Sequence, residues 1–357
     1  MNRFIYVGTY TQTGRGLAHR PEAIYQYRFD PADGALALLG AARDTLNPSF
    51  LAVHPTRRYL FAANELTEGQ VSAFAIQARS GALAYLNSQP TRGAAPCYLT
   101  CDPSGRWLLA ANYSTGSLTV HPIAADGRLG EMAAFIQHEG AGPDSSRQER
   151  PHAHSVRFDP TGRFVLAADL GIDQVLVYRL DESTGMLSLH HPPGARLEAG
   201  AGPRHFDFHP GGRFVYIANE LNSTVMACAW DGQQGVLEKL QVLSTLPPGF
   251  TGENFVADIH LTPDGSFLYV SNRGHHSLAA FSVDRHTGLL NALGQSPSGG
   301  EWPRNFAIDP GGTFLVCANQ NTDNLVVYRI NSSDGSLTPT GPSISAPSPV
   351  CVLFVDL

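Results

Sequence analysis

The sequence predicts a seven-bladed β-propeller with four antiparallel strands in each blade. Two signals recur along its 357 residues. The first is Gly-X-Leu, which returns at intervals of 46 to 58 residues at Gly34, Gly81, Gly127, Gly185, Gly235, Gly288 and Gly335. The second is a turn in which proline follows Asp, His or Thr, at Pro55, Pro103, Pro160, Pro210, Pro263 and Pro310. Repeats of about 50 residues are typical of propeller blades.

Four short strands fit around these two signals in every repeat. A strand of alternating character precedes the proline, as in RHFDF, and an apolar run ending in Ala-Asn or a similar pair follows it, as in YLFAAN. A third strand comes next, as in NLVVYRI, and the Gly-X-Leu turn opens the fourth. Asp-Pro-X-Gly favours a type I turn between the first and second strands. No segment has helical periodicity over a useful length, so we expect an all-β protein.

One blade is divided between the two ends of the sequence. Residues 4–10, FIYVGTY, match the second strand of a repeat, and EAIYQYRFDPADGALALLG supplies the third and fourth. The missing first strand is found in PVCVLFVDL at residues 349–357. We therefore expect residues 1–357 to form one propeller domain whose ring is closed by the terminal strands. A closed ring has no open sheet edge, which favours a monomer.

Composition and charge argue against several classes of protein. Charged residues make up 15% of the chain and the formal net charge is −7, so nothing suggests the basic face of a nucleic-acid-binding protein. No apolar run is long enough to span a membrane. The N-terminal sequence MNRFIYVGTY lacks the apolar run of a signal peptide, and we expect a cytoplasmic protein. The five cysteines fit no zinc signature and are interpreted as small buried side chains.

The repeats provide an internal comparison for candidate functional residues. A residue type present in every blade serves the blade, whereas a polar residue that departs from the pattern needs another explanation. The position nine residues after the turn proline is nearly constant, with Asn64, Asn112, Asp169, Asn219, Asn272 and Asn319. Asn and Asp side chains in such places bond turn backbone, so we assign this ring a structural role.

Two neighbouring positions vary from blade to blade. Six residues before the proline, where the first strand begins, lie Ser49, Cys97, His154, Arg204, Ala257 and Arg304. Ten residues after it, where the second strand ends, lie Glu65, Tyr113, Leu170, Glu220, Arg273 and Gln320, with Tyr10 in the divided blade. Because the first and second strands are antiparallel, both positions meet at the same end of the central channel. The sequence therefore predicts a site at that channel mouth.

The side chains at this mouth suit an anionic ligand and proton transfer. Arginine binds carboxylate or phosphate with two parallel hydrogen bonds, and His and Glu can exchange a proton near neutral pH. The predicted catalytic set, in which four unlike residues converge, is His154, Glu220, Arg204 and Arg273. His152 lies two residues from His154 and would share its strand face. The residues predicted to contact the substrate are His152, Tyr10, Glu65, Arg304 and Gln320.

The stretch HEGAGPDSSRQERP, residues 138–151, is an insertion that lengthens one repeat to 58 residues. It leads directly into the strand of His154. We interpret it either as a flap whose Arg147 or Arg150 touches the ligand, or as a solvated polar loop. The other loop histidines, His138 among them, are predicted to lie at the surface. The motifs HExxH and G-x-S-x-G and a Gly-rich phosphate loop are absent, so a nucleophilic serine has no support.

Four segments resemble hallmarks of the seven-bladed propeller lactonase family, which includes bacterial 6-phosphogluconolactonases and fungal carboxymuconate lactonizing enzymes. They are FIYVGTYT, PHAHSVRFDPTGRF, GAGPRHFDFHPGGRFVYIANE and LYVSNRG. The resemblance covers essentially the whole chain. It implies that His154, Arg204, Glu220 and Arg273 form the site. It also implies that no metal or other cofactor is obligatory, although His152, His154 and Glu220 could together hold an ion.

The resemblance further implies hydrolysis of a small anionic sugar lactone, above all 6-phosphogluconolactone. His154 would act as general base or proton shuttle, and Glu220 would orient His154 or share the proton. Arg204 and Arg273 would bind the anionic group and stabilise the oxyanion. The same residues suit a lactonizing cycloisomerase that acts on a dicarboxylate. A non-enzymatic propeller that binds a ligand or a protein is the third alternative, and it predicts an exposed apolar patch.

Overall fold

The computed structural model describes residues 3–12, 20–43 and 45–357. Its regular structure is almost entirely β, and one short 3₁₀ helix lies at Leu170–Ile172. The strands of the described ranges are β1 (Arg3–Thr9), β2 (Ile24–Phe29), β3 (Leu36–Ala42), β4 (Pro48–Val53), β5 (Tyr59–Asn64), β6 (Gln70–Ile76), β7 (Leu83–Pro90), β8 (Pro96–Cys101), β9 (Trp107–Asn112), β10 (Ser117–Pro122), β11 (Ala134–Gln137), β12 (Ala153–Phe158), β13 (Val165–Asp169), β14 (Gln174–Leu180), β15 (Leu187–Arg196), β16 (Pro203–Phe208), β17 (Phe214–Asn219), β18 (Thr224–Asp231), β19 (Val236–Ser244), β20 (Phe255–Leu261), β21 (Phe267–Arg273), β22 (Ser277–Val283), β23 (Leu290–Pro297), β24 (Pro303–Ile308), β25 (Phe314–Asn319), β26 (Asn324–Ile330), β27 (Leu337–Pro339), β28 (Ile344–Ser345) and β29 (Pro349–Asp356).

These strands form seven antiparallel sheets, one for each predicted blade. Blade 1 has the strand order β29-β1-β2-β3, so the two ends of the chain share it. Blades 2 to 6 are β4–β7, β8–β11, β12–β15, β16–β19 and β20–β23. Blade 7 is β24–β27, with β28 also paired to β26. The predicted seven-bladed propeller with four strands per blade is confirmed.

The first strand of each blade lies at the centre of the ring. The inner strands contact one another in the order β29, β4, β8, β12, β16, β20 and β24, and β24 contacts β29 in turn. They therefore surround the central channel. This is the arrangement on which the predicted channel-mouth site depends.

The hydrophobic core lies between blades rather than inside any one of them. The described residues form seven buried apolar clusters, and each cluster joins two adjacent blades. The second strand of each blade is buried on both faces. This explains why its sequence is a continuous apolar run, such as Tyr59–Asn64.

The Gly-X-Leu turns serve the same interfaces. Each glycine has a positive φ, and a Cβ built on it would lie only 2.2–3.0 Å from an aromatic ring of the neighbouring blade. The pairs are Gly34 with Phe314, Gly81 with Phe4, Gly127 with Tyr59, Gly185 with Trp107, Gly235 with Phe164, Gly288 with Phe214 and Gly335 with Phe267. The repeated glycine therefore allows both a left-handed turn and close approach of the preceding blade.

Candidate active site

A β-bulge at the start of each inner strand aims a side chain into the channel mouth. In blades 2 to 7, the pairing between the first and second strands is irregular at this point. The residues skipped by the ladder are Ser49, Cys97, His154, Arg204 and Arg304, and Ala257 with Asp258 in blade 6. A bulge removes a residue from the ladder and re-aims its side chain. The variable position six residues before the turn proline is thus one that the sheet leaves unpaired.

Three bulged residues, the residues at the ends of five second strands and Arg147 of the insertion enclose a cavity of about 230 Å³. Its lining consists of Tyr10, Glu65, Cys97, Tyr113, Arg147, His154, Glu220, Arg273 and Arg304. Six of the nine residues predicted from the sequence belong to this lining. The three that do not are Arg204, His152 and Gln320.

Glu220 is the centre of a cluster of arginines. Its Oε2 lies 2.7 Å from Arg273 Nη2 and 2.9 Å from Arg204 Nε, and its Oε1 accepts a hydrogen bond of 2.5 Å from Arg147 Nη2. Burial alone would raise the pKa of this carboxyl, but the three positive charges lower it to about 2. Glu220 is therefore a carboxylate at neutral pH. Its partners among the described residues do not include His154, so no contact supports the predicted role of orienting that imidazole.

His154 is a buried imidazole that lines the cavity. Its Nδ1 lies 3.7 Å from Cys97 Sγ, and its ring meets that of His205 edge to face at 5.1 Å. Burial, followed by the charge of Arg204, lowers its pKa well below 6.5. The side chain is therefore neutral at pH 7, which is the form that can accept a proton. Burial also raises the pKa of the Cys97 thiol, which disfavours thiolate chemistry.

Another part of the cavity wall is formed by Tyr10, Glu65 and Arg304. The Tyr10 hydroxyl lies 2.9 Å from both carboxylate oxygens of Glu65. The guanidinium of Arg304 lies 3.7 Å from Glu65 Oε2 and 5.4 Å from the centre of the Tyr10 ring. Although burial opposes the charge of Arg304, its neighbours Tyr10 and Glu65 raise its pKa. Arg304 is therefore charged at neutral pH and lies beside the Glu65 carboxylate.

Arg204 lies behind Glu220, with only 2% of its surface exposed. Its Nη1 donates a hydrogen bond of 2.5 Å to the Ala257 carbonyl and lies 3.3 Å from His205 Nε2. Burial lowers the pKa of His205 to about 4, so its neutral ring donates from Nδ1 to Asp258 Oδ1 at 2.7 Å and accepts at Nε2. The ligand contact predicted for Arg204 is not open to a side chain in this place. Arg204 instead positions Glu220.

His152 and Gln320 also lie outside the cavity lining, contrary to the sequence prediction. The bulge at His154 breaks the alternation that would have placed both imidazoles on one face. The His152 ring stacks on Tyr113 at 4.6 Å, and its Nδ1 lies 2.9 Å from the Tyr113 carbonyl oxygen. Gln320 comes directly after β25 and does not line the cavity. The cavity wall is formed by Arg304 and Tyr10, whose side chains stack on each other.

The insertion at residues 138–151 lines the cavity through one side chain. Arg147 reaches Glu220, whereas Arg150 is exposed and pairs with Glu149 at 3.1 Å. The insertion thus borders the mouth through Arg147 and not through Arg150. His138 is buried rather than at the surface, because its Nδ1 lies 2.6 Å from Asp169 Oδ2. Asp169 also accepts from the His152 N–H at 2.7 Å, so one carboxylate anchors the start of the insertion and the residue that follows it.

A second ring of side chains lies one position after the bulged residues on the inner strands. The sequence analysis did not identify it. Five residues before the turn proline, blades 2 to 7 carry Phe50, Tyr98, Ser155, His205, Asp258 and Asn305. Asp258 Oδ2 accepts hydrogen bonds from Asn305 Nδ2 at 2.5 Å and His260 Nε2 at 3.0 Å. The same comparison between blades, applied to this position, would have identified the cluster that supports Arg204.

Within the described ranges, no group of three or more His, Cys, Asp or Glu side chains is arranged to hold a metal ion. His152 faces Tyr113 and Glu220 faces arginines, so these residues do not gather with His154 as an ion site. In the part of the chain that the structure describes, no helix has the length and apolar character needed to cross a membrane.

The closed ring and its channel mouth define a propeller with a small, positively charged site. Residues 4–354 match the sequence model of the family described as "Lactonase, 7-bladed beta-propeller". The chain belongs to this family. The resemblance seen in the sequence is thereby confirmed.

Named relatives are similar along most or all of the chain. The 6-phosphogluconolactonase of Bacillus subtilis is 37% identical over 357 residues, and the match covers 99% of each chain. The 6-phosphogluconolactonase of Formosa agariphila is 33% identical over 311 residues, covering 85% of this chain and 86% of the relative. The solved structure described as the periplasmic gluconolactonase of Pseudomonas aeruginosa has a TM-score of 0.93 and 36% identity, covering 100% of this chain and 99% of that one. The expectation of an enzyme of the lactonase class agrees with all three.

Proposed function

We propose that the protein hydrolyses 6-phosphogluconolactone to 6-phosphogluconate. The observation that carries this proposal is the neutral imidazole of His154 in a cavity lined by more arginines than glutamates. Relatives named 6-phosphogluconolactonase, at 37% and 33% identity, support the choice of substrate. A lactone carbonyl is already reactive, so the general acid–base contribution of about 10²–10⁴-fold is a large part of what is needed.

In the proposed mechanism His154 acts first as a base and then as an acid. The Cys97 thiol donates to the His154 carbonyl at 3.4 Å, so its sulfur can accept from Nδ1–H and the lone pair of Nε2 is left for water. Nε2 takes a proton from water while the water oxygen bonds to the lactone carbon. When the bond from that carbon to the ring oxygen breaks, His154 returns the proton to the ring oxygen. The product is the open hydroxy acid, which ionises in solution.

Arg273 and Arg304 supply positive charge for the oxyanion, because both line the cavity. Burial lowers the pKa of Arg273 to about 9, which still leaves it charged at pH 7. Loss of one oxyanion donor typically costs about 10²–10³-fold in kcat. Glu220 exchanges no proton in this scheme. Its carboxylate holds Arg273 in place at 2.7 Å, and Arg204 fixes the carboxylate from behind.

Unphosphorylated gluconolactone is the second candidate substrate. It is favoured by the Pseudomonas aeruginosa relative, which is described as a periplasmic gluconolactonase and is 36% identical. The lactonizing cycloisomerase and the non-enzymatic propeller are further outcomes of the test below. A monomer in the cytoplasm stays a prediction.

The test is lactone hydrolysis at neutral pH, corrected for spontaneous ring opening. The substrates are 6-phosphogluconolactone, gluconolactone and a muconolactone, and the enzymes are the wild type, His154→Ala and His191→Ala. His191 is an exposed residue of the outer strand β15 and serves as the matched control. We expect His154→Ala to lose about 10²–10⁴-fold in kcat with an unchanged circular dichroism spectrum. The control should match the wild type.

Each other outcome points to a different alternative. Full activity of His154→Ala would remove the imidazole from the mechanism. Turnover of gluconolactone alone would select the second substrate, and turnover of muconolactone alone would favour the cycloisomerase. No turnover of any lactone would leave a propeller that binds a ligand or a partner.

A further inference from the structure

Arg147 differs from the other arginines of the mouth in its origin and its exposure. Arg204, Arg273 and Arg304 lie on strands of the blades, whereas Arg147 belongs to the insertion between β11 and β12. Its side chain is 30% exposed, compared with 2% for Arg204 and 7% for Arg273. Arg147 is therefore the most accessible member of the arginine cluster around Glu220.

The backbone that carries Arg147 is nevertheless fixed. The next residue, Gln148, is fully buried and donates from Nε2 to the Leu170 carbonyl at 2.8 Å and to Asp173 Oδ1 at 2.7 Å. The Arg147 N–H bonds the Asp144 carbonyl at 3.3 Å within the same loop. The loop is thus attached to blade 4, and only the Arg147 side chain has freedom to change its contacts.

The other two arginines of the cluster, Arg273 and Arg204, also donate hydrogen bonds to backbone carbonyl groups. Arg273 donates from Nη2 to the Val256 carbonyl at 3.1 Å as well as contacting Glu220, and Arg204 donates to a backbone carbonyl behind it. Arg147 contacts Glu220 and the Tyr113 hydroxyl through Nη2 alone, at 2.5 and 3.3 Å. Within the described residues, its Nε and Nη1 have no hydrogen-bond partner. Two donors of one guanidinium therefore remain for an anion.

The charges around the cavity are unequal. Three arginines of the lining, namely Arg147, Arg273 and Arg304, face two carboxylates, Glu65 and Glu220, which leaves an excess of one positive charge. His154 is neutral, and burial raises the pKa values of Tyr10, Cys97 and Tyr113, so these groups add no negative charge. A phosphate monoester carries about −1.5 to −2 charges at pH 7. The excess therefore favours an anionic, phosphorylated ligand over a neutral lactone.

From these observations we propose that Arg147 is the residue that selects a phosphorylated lactone over its unphosphorylated analogue. One of its two free donors, Nε or Nη1, bonds a phosphate oxygen, and the Phe255 ring, 5.3 Å from the guanidinium carbon, supports the guanidinium group. The inference rests on the proposed lactone hydrolysis and adds to it the source of substrate preference.

The test compares Arg147→Gln with Arg150→Gln. Arg150 lies three residues away on the same insertion, is 61% exposed and pairs with Glu149, so it controls for a general loss of positive charge from the loop. For each variant, kcat and KM are measured with 6-phosphogluconolactone and with gluconolactone. We expect Arg147→Gln to lower kcat/KM for the phosphorylated substrate by about 10–100-fold, mainly through KM, because a charged hydrogen-bonded pair is lost. The loss of kcat/KM with gluconolactone should be at least about 10-fold smaller than the loss with the phosphorylated substrate.

Three results would overturn the proposal. Equal losses with both substrates would mean that Arg147 acts only through Glu220. An equal loss in Arg150→Gln would mean that the loop acts through its net charge. A wild type with no preference for the phosphorylated lactone would refute the selection while leaving lactone hydrolysis intact.

If the wild type hydrolyses no lactone, the proposed function fails and Arg147 is tested by binding alone. Calorimetric titration with 6-phosphogluconate then compares wild type, Arg147→Gln and Arg150→Gln. Affinity at least about 10-fold weaker in Arg147→Gln only would support the phosphate contact. Equal affinity in the three proteins, or binding in none, would contradict it.

Discussion

At the residue scale, Glu220 and His154 have pKa values displaced downwards for different reasons. Burial opposes the charge of Glu220, and three arginines overcome it. For His154, burial and neighbouring positive charge act together against the protonated form. Both groups hold fewer protons in the folded protein than in the unfolded chain. Their contributions to folding stability therefore decline on acidification, below about pH 6.5 for His154 and below about pH 4.5 for Glu220.

The displaced pKa of His154 predicts an unusual acid limb in the pH profile of kcat/KM. An imidazole with a pKa near 6.5 would lose about threefold in its basic form between pH 7 and pH 6. Because the pKa of His154 lies well below 6.5, we expect a loss clearly smaller than threefold over the same interval. Steady-state assays with gluconolactone avoid the second ionisation of a phosphate near pH 6. A threefold loss that follows an ordinary histidine would show that the base is not this buried group.

Much of the residue-level site could be predicted because the blades are copies of one another. Positions that vary among copies identified His154, Glu220, Arg273, Arg304 and other lining residues. Strand alternation then failed for His152, because it assumes an unbroken ladder and the bulge at His154 is not visible as a pattern of apolar residues. The comparison between blades also does not show how deep in the channel a side chain lies. For this reason Arg204 was predicted to contact the ligand, although it lies behind Glu220.

At the scale of elements, one local feature explains both strong sequence signals. The Gly-X-Leu glycine packs on an aromatic ring at the start of the second strand of the preceding blade, which in blades 2 to 7 comes shortly after the proline turn. Tyr216 in addition donates from its hydroxyl to the Gly288 carbonyl at 3.0 Å. The two repeated motifs therefore meet at six of the seven interfaces, and at the seventh Gly81 packs on Phe4 of the divided blade, which has no proline turn.

This contact predicts a difference between two glycine substitutions. Gly288 (φ +73°) would place a Cβ 2.3 Å from the Phe214 ring, whereas Gly249 (φ +83°) has no atom within 4 Å of that point. Both Gly→Ala changes cost about 1–2 kcal/mol for the left-handed conformation. Gly288→Ala should cost a further 1–3 kcal/mol, about the usual penalty for overpacking. Urea unfolding of both variants measures the difference, and equal free energies of unfolding would remove the interface from the explanation.

The insertion at residues 138–151 cannot be interpreted by comparing the blades. It has no counterpart in the other repeats, so the choice between Arg147 and Arg150 could not be made from the sequence. The structure decides it through Gln148, whose buried amide fixes the loop on blade 4 and turns the adjacent Arg147 toward Glu220. The choice depends on tertiary hydrogen bonds that leave no periodic trace in the sequence.

At the scale of the whole molecule, closure depends on one long-range strand pair. β29 pairs with β1 from Asp356 opposite Arg3 to Pro349 opposite Thr9. Arg3 adds two hydrogen bonds to Asp356, of 2.5 and 3.0 Å, and one of 3.0 Å to Asp309 in blade 7. The closing strand was predictable because it completes an incomplete repeat.

Removing β29 should therefore open the ring. A chain that ends at Ser348 exposes the free edge of β1 and the apolar faces of blades 2 and 7 that β29 covers. We expect loss of the single cooperative thermal transition and aggregation on size-exclusion chromatography. A chain that ends at Asp356 lacks only Leu357, which lies outside the strand, and is the control. A Ser348-terminated protein that elutes and unfolds like the control would show that the other six blades hold the ring closed.

The pairing of β1 with β29 also affects folding during translation. β1 is translated before all the other described strands and its partner β29 after all of them, and Arg3 and Asp356 are 353 positions apart. Until then β1 lacks its inner neighbour, and the core shared by the first and last blades lacks Val352. Contacts this distant in sequence are slow to form, and an unpaired edge invites association with other chains. The nascent chain is therefore most prone to association with other chains after its sixth complete blade has been translated and before β29 has been translated.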